Sequence, residues 1–317
     1  MAGGQERVLR RRIKSVESTK KITRAMELIA ATRVVKAQER TNAARPYSQQ
    51  ITNVILDLAG LGAEGGHPLL RKTGDAKKAA FVVLTSDRGL CGAYNSAVIR
   101  AAERELMARR AEGLDYALIL IGKKANSYFR FRNYEIAASF YDLTDRPDYE
   151  DARAVSVAVR TMFEEGEVDT VDLVYQRFHS AGSQEVVVRR FLPLETGDPT
   201  ESATDGPTAS MEFEPSPEGI LDELLPRYVE ARLFAALLDA SASEHANRQR
   251  AMKAATDNAE ELIINLSRVM NRARQDSITG EIMEIVSGAE ALHSGKSDQV
   301  ALPASLLHPE SLTNRSA

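Results

Sequence analysis

The feature that most constrains this chain is the stretch Ser216–Leu292. From Arg227 to Leu292 there is no proline, and the two glycines in that part, Gly280 and Gly288, lie near the far end. Small and apolar residues recur every three or four positions: Tyr228, Ala231, Ala235, Leu238, Ala242, His245, Met252, Ala255, Ala259, Leu262, Leu266, Val269 and Ala273. That narrow, alanine-rich stripe reads as the seam of a coiled coil, where a partner helix approaches closely, and not as the wider stripe of a helix lying on a globular core. One helix over 217–292, bent at Pro226, would be roughly 110 Å long, by the 1.5 Å rise per residue of an α-helix. A globular domain of this size cannot bury such a length, so the helix needs partners along it.

A second helix is predicted from Glu6 to Leu58, within the segment 1–60. Its seam reads Leu9, Ile13, Val16, Thr19, Ile22, Met26, Ile29, Arg33 and Ala37, then Ala44, Tyr47, Ile51, Val54 and Leu58, with a kink at Pro46. Glycines at 60, 62, 65 and 66 end it. Between the helices, 79–194 changes grammar. Ala80–Thr85, Tyr116–Ile121, Tyr134–Phe140 and Thr170–His179 read as strands. Tyr94–Glu112, Lys123–Arg132 and Tyr149–Glu165 read as helices, and Gln184–Leu194 as a returning hairpin strand. The fold class is therefore α/β: a doubly wound, mostly parallel sheet with one antiparallel edge, inserted into a long antiparallel two-helix coiled coil. The segment 195–216 is a polar linker whose one apolar patch is Met211-Glu-Phe-Glu214. The tail 293–317 lacks helical periodicity and reads as disordered.

Both long helices meet the inserted domain at their inner ends, so they run antiparallel. Setting Asp57 beside Glu218 makes paired positions sum to 57 + 218 = 275. That register puts Met26 level with Arg248 and Gln5 near Met270. Everything beyond about 270 then projects as a single apolar helix carrying Ile278, Ile282, Met283, Ile285, Val286 and Ala289. Such a surface calls for a socket.

The charge is polarised. Residues 1–50 hold twelve Lys/Arg against four Asp/Glu, whereas 195–244 hold two against twelve. With a net charge of -4 the chain has no general attraction to nucleic acid; the asymmetry favours assembly with charged partners. One cysteine, Cys91, excludes an internal disulfide and a multi-cysteine metal site, and the five histidines have no metal spacing. No run approaches the ~18 apolar residues of a membrane span, and no signal peptide is visible. Ser86-Asp-Arg-Gly-Leu-Cys-Gly-Ala-Tyr-Asn95 sits at a strand-to-helix turn, where doubly wound domains bind phosphates. It is neither a dinucleotide fingerprint nor a P-loop. No catalytic residue, cofactor or metal is expected. A nucleotide-dependent enzyme built on 79–194 and a nucleic-acid adaptor built on the basic N-terminus are the competing readings.

Three blocks carry a resemblance: Lys20-Lys-Ile-Thr-Arg-Ala-Met-Glu-Leu-Ile-Ala-Ala-Thr-Arg-Val-Val-Lys-Ala-Gln38, the turn Ser86–Asn95, and Ala251-Met-Lys-Ala-Ala-Thr-Asp-Asn-Ala259 with Ile278–Leu292. In order and spacing they resemble the gamma subunit of rotary ATP synthase. The resemblance implies a non-catalytic central shaft threading three alpha and three beta subunits. Its α/β foot would meet the epsilon subunit and the membrane c-ring, peripherally, on the cytoplasmic side of the cell membrane. It makes Ser86, Asp87, Arg88, Gly89, Gly92 and Asn95 the family's signature turn. It also implies that Met26, Arg248, Gln275, Thr279 and Glu281 engage beta-subunit loops, and that Met211, Phe213 and Glu214 meet the c-ring and epsilon. Met26 reads equally as seam packing, and Arg248 as a solvated helix charge. Gly280 stands where a helix former is usual, and the tail past Leu292 exceeds the usual ending.

Overall fold

The computed structural model describes residues 2–60, 67–71, 76–194 and 217–297. Its elements are α1 (Ala2–Gly60), β1 (Lys78–Leu84), α2 (Tyr94–Ala111), β2 (Asp115–Ile121), α3 (Lys123–Phe131), β3 (Ala138–Phe140), α4 (Tyr149–Glu164), β4 (Thr170–Phe178), β5 (Gln184–Leu192) and α5 (Pro217–Ser297), with one 3-10 turn at Pro68–Leu70. The two long helices run unbroken through Pro46 and Pro226. The predicted end at Leu292 falls short. Residues 293–297 continue α5, and only the remainder of the expected disordered tail, with the linker 195–216, lies outside the described residues.

The sheet order is β3-β2-β1-β4-β5, parallel except for β5. In β1 alternate side chains serve two cores, as a two-residue period requires. Phe81 and Val83 meet Leu106 of α2 and Phe129 of α3; Ala80, Val82 and Leu84 meet Val155, Val159 and Phe163 of α4 and Leu225, Val229 and Leu233 of α5. Ile51, Ile55 and Leu58 of α1 close the second core. β3 is shorter than the predicted Tyr134–Phe140 because its leading residues turn onto the α2–α3 face. There the Tyr134 hydroxyl donates to Glu103 (3.0 Å) and the Glu135 amide to the Tyr116 hydroxyl (3.2 Å).

The chain divides into two units, Lys21–Asp257, and Met1–Lys20 with Asn258–Ala317. In the first, Val34 and Ala37 pack on Ala242, Ala246 and Phe178. The Thr23 and Thr256 hydroxyls share a buried hydrogen bond of 2.8 Å. In the second, Lys20 pairs with Glu260 at 3.2 Å. Opposed positions therefore sum to 23 + 256 = 279 or 20 + 260 = 280, not 275. The exposed Lys20–Glu260 pair is worth at most about 1 kcal/mol, whereas orphaning a buried hydroxyl costs about 1–3 kcal/mol. The threonine pair and the small-residue packing hold the register. This corrects the sequence-derived register by just over one turn: it was anchored where the chain enters the sheet domain, not where the helices touch. Met26 thus stands opposite Lys253, not level with Arg248, and the overhang of α5 starts near Ile278 instead of Met270.

The seam of α1 is displaced over part of its length: Ala37, Ile51 and Leu58 are buried as predicted, but others are not. Thr23, Ala30 and Val34 are buried, while Ile22 and Ile29 are 59% and 55% exposed and Tyr47 and Val54 face solvent. On α5, Ala231, Leu238, Ala242, His245, Met252 and Ala259 are buried as predicted, but Leu262 and Val269 are exposed. Two adjacent stripes run along α1, and the one with smaller side chains wins the inner face because it permits the closer approach.

Gly122, after β2, has φ +93° and a Cβ there would sit 2.2 Å from the Thr85 carbonyl oxygen. Gly122→Ala therefore meets both left-handed strain and a backbone collision. We expect a loss on the order of 3 kcal/mol in stability, read as a lowered denaturation midpoint of the full chain. A midpoint equal to the parent's would show that the β1 and β2 ends are free to separate.

Candidate functional site

The sequence block Ser86–Asn95 leaves β1 and enters α2 as a turn closed on itself. Asn95 Oδ1 accepts from the Ser86 amide (2.9 Å), and its amide group donates to Ser86 Oγ (2.8 Å) and Cys91 Sγ (3.1 Å). Asp87 accepts from the Lys123 amide and from Thr144 Oγ1, both at 3.1 Å. Leu90 and Gly92 hold left-handed conformations, with φ of 64° and 57°. A Cβ on Gly92 would touch Cβ of Ala251 on α5 at 3.7 Å, so the turn lies directly against that helix. Cys91 is buried and burial pushes its thiol pKa up, the environment of a structural thiol and not of a nucleophile. Arg88 faces solvent.

In a doubly wound sheet the ligand crevice lies at the carboxyl ends of the strands, where the order reverses, here between β1 and β4. α5 crosses that edge. Ser243 Oγ donates to the Gln176 carbonyl at 3.0 Å, Asn247 to Gln176 Oε1 at 3.0 Å, and Arg248 Nη2 to the Gly89 carbonyl at 3.3 Å. The place where a nucleotide would sit is taken by the chain's own helix, which removes the geometric basis of the nucleotide-enzyme reading.

Around this edge four segments meet. Glu244 and Arg248, one turn apart on α5, form an ion pair at 2.6 Å with side chains only 2% and 11% exposed. Burial pushes the Glu244 carboxyl pKa up, and the Arg248 guanidinium opposes the rise. Glu244 Oε2 is buried without a hydrogen-bond partner. Removing one partner of a buried pair costs about 3–5 kcal/mol, because the other charge is stranded. The β3–α4 loop supplies the third segment. The Asp145 carbonyl accepts from Ser241 Oγ (3.3 Å) and His245 Nε2 (3.1 Å), and its carboxylate pairs with Arg33 of α1. Arg40 of α1 donates to the Pro147 carbonyl. With Nε2 on a carbonyl and Nδ1 facing Arg248 at 3.3 Å, His245 is neutral, as burial dictates by lowering its pKa. Asp145, Glu244 and His245 could each point one ligand atom at a common centre. Arg33 and Arg248 already neutralise the two carboxylates, and both histidine nitrogens are engaged, so the cluster is a joint and not a metal seat.

The other sequence-named residues lie elsewhere. Met26 is half-buried on α1, and Gln275, Thr279 and Glu281 are exposed on α5. Arg248, which the resemblance assigns to beta-subunit loops, bonds to Glu244, Gly89 and His245 of its own chain. Met211, Phe213 and Glu214 lie outside the described residues. Thr144, Asp145 and Ser241 of the joint were not singled out in the sequence; a polar loop far from the turn carries no local signal of what it will bond.

With this geometry in hand, the relatives are decisive. Residues 5–292 match the family described as ATP synthase. The chain is 50% identical to the ATP synthase gamma chain of a Parafrankia species, over 92% of this chain and 99% of that one. This chain belongs to the ATP synthase gamma chain family. The gamma chain of Mycolicibacterium smegmatis is 47% identical over 304 residues, 92% of this chain and 98% of its own. Among solved structures, a chain of the Euglena gracilis mitochondrial ATP synthase complex OSCP/F1/c-ring shares the fold with a TM-score of 0.67 at 20% identity, over 96% of this chain and 99% of that one. A chain of the central stalk/c-ring structure of Tetrahymena thermophila mitochondrial ATP synthase gives 0.57 at 24%, covering 74% and 99%.

One further acid of this gamma-family chain, Asp239 on α5, is half-buried. Burial pushes the Asp239 carboxyl up to about 6, against the opposing pull of Arg177, Arg45 and His179. The folded state then binds the proton more tightly than the unfolded state, whose carboxyl titrates near 4, so stability falls as pH rises from about 4 to about 6. Asp239→Asn removes that loss. Its stability, read from the denaturation midpoint, should exceed the parent's at pH 8 by roughly 2–3 kcal/mol, and by about half as much at pH 5, midway through the fall. Equal differences at both pH values would refute the assignment.

Proposed function

We propose that this chain is the non-catalytic central rotor of an ATP synthase, coupling rotation of a proton-driven c-ring to the conformational cycle of three beta-subunit catalytic sites. The observation that carries the reading is the end of α5. Every residue from Ile278 to His293 is exposed, and Ile278, Ile282, Met283, Ile285, Val286 and Leu292 present large apolar side chains there. A helix of that character requires an enclosing partner, and a ring of three alpha and three beta subunits is such an enclosure. α1 adds Ile22, Leu28, Ile29 and Val35 on its outer face.

The mechanism is a shift of populations. An asymmetric rotor presents different side chains to each beta subunit as it turns, and each orientation stabilises one catalytic conformation over the others. Met26, Arg248, Gln275, Thr279 and Glu281 are the residues assigned to beta-subunit loops, and Met211, Phe213 and Glu214 those assigned to the c-ring and epsilon subunit. No helix among the described residues is long and apolar enough to cross a membrane. As such a rotor the chain would meet the cell membrane peripherally, on the cytoplasmic side, through its partners. The basic stretch 1–50 suits acidic partner surfaces more than nucleic acid, given the acidic 195–244 in the same chain.

Co-expression with alpha and beta subunits of a gamma-chain relative's complex tests this. The expected product is an ATPase with one copy of this chain per three beta subunits; recovery of an active hexamer lacking the chain would overturn the reading. Truncation after Leu292 should leave assembly and coupling intact, measured as ATP-driven proton pumping in vesicles, because the enclosed apolar residues precede that point. Loss of pumping would mean that the tail takes part in coupling.

A further inference from the structure

We propose that Arg248 is a positioning residue that ties the Ser86–Asn95 turn to α5, so that twist entering the sheet domain reaches the helix through a fixed link. The proposal rests on the rotor reading above and adds an internal torque path to it. Three directions of the guanidinium are engaged: Glu244 at 2.6 Å, the Gly89 carbonyl at 3.3 Å and His245 Nδ1 at 3.3 Å. An arginine fork can serve three acceptors at once; a lysine ammonium on a flexible stem cannot hold the same geometry. Glu244 is kept in a dry site by this one cation, with its second oxygen unpartnered. Such an arrangement is costly unless the guanidinium stays in place, so the ion pair orients Arg248 toward Gly89.

The turn needs that anchor. Its internal bonds fix its shape but supply no bond to α5, and Leu90 holds a left-handed conformation that a leucine rarely adopts. A second, indirect route runs from Asp87 through Thr144 to the Asp145 carbonyl and so to Ser241 and His245. Cutting the Arg248 link should therefore loosen the turn without unfolding the chain.

Cys91, the single cysteine, lies buried inside this turn and reports its opening. In the assembled complex, labelling of this chain by N-ethylmaleimide, followed by intact mass, gives the rate. Arg248→Met should accelerate labelling roughly tenfold, the effect of losing a hydrogen bond to a charged donor. Arg248→Lys should fall between that variant and the parent. Arg109→Ala, which breaks an exposed pair at the end of α2, should change nothing. A rotation probe on the sheet domain of surface-held complexes should show wider angular distributions at each pause for Arg248→Met and not for Arg109→Ala. If Arg248→Met proves unstable, Glu244→Gln retains the shape and a weaker bond, and should give a smaller rise in both readouts. Parent-like labelling and parent-like angular widths in the arginine variants would overturn the proposal. Failure of the chain to assemble would count against the rotor reading instead, and labelling of the full chain alone would still judge the link.

Discussion

The structure of the Lys21–Asp257 unit depends on one packing decision: α5 crosses the carboxyl edge of the parallel sheet. That edge carries polar backbone groups and turns that must be satisfied, and in nucleotide-binding relatives of the architecture a ligand does part of this. Here Ser243, Asn247 and Arg248 do it from the helix. The same contact buries Glu244 and His245 and draws in the β3–α4 loop through Asp145. A region that serves other proteins as a binding crevice has become a joint between a sheet and a helix. The polar groups that would meet a ligand are spent on the chain itself.

The helix pair follows a related logic. On α1 the buried stripe is Thr23, Glu27, Ala30, Val34 and Ala37, while larger apolar residues such as Ile22, Leu28, Ile29 and Val35 face outward. An ordinary amphipathic helix does the opposite. Small residues inside let the helix backbones approach, and the shared Thr23–Thr256 hydrogen bond selects one register among the many that a repetitive alanine seam allows. The large residues left outside would destabilise a free monomer, and in a gamma chain they are available to the surrounding subunits.

Much of this was legible in the residues. The two long helices, the inserted sheet domain, its nearly parallel order and the position of every strand follow from periodicity, from the absence of proline between Pro226 and Pro303, and from apolar runs bounded by glycine. The misses share a cause. The register, the partly displaced seam of α1 and the short β3 all depend on which of two adequate local patterns meets its partner first. Ile22 and Thr23 are neighbours on adjacent stripes, and nothing within α1 distinguishes the inner from the outer one.

What the sequence determined by itself was the architecture and the family. Both are encoded in local signals: helical period, strand alternation, turn chemistry, and the ordered blocks at 20–38, 86–95, 251–259 and 278–292. What only the tertiary structure decided was which polar groups pair. Glu244 and Arg248 look like an ordinary surface pair one turn apart on a helix. They become a buried joint only because the Gly89 carbonyl and the Asp145 loop, about 160 and 100 residues distant in the chain, arrive at the same place. Ion pairing and burial are properties of that meeting, and no window of sequence contains it.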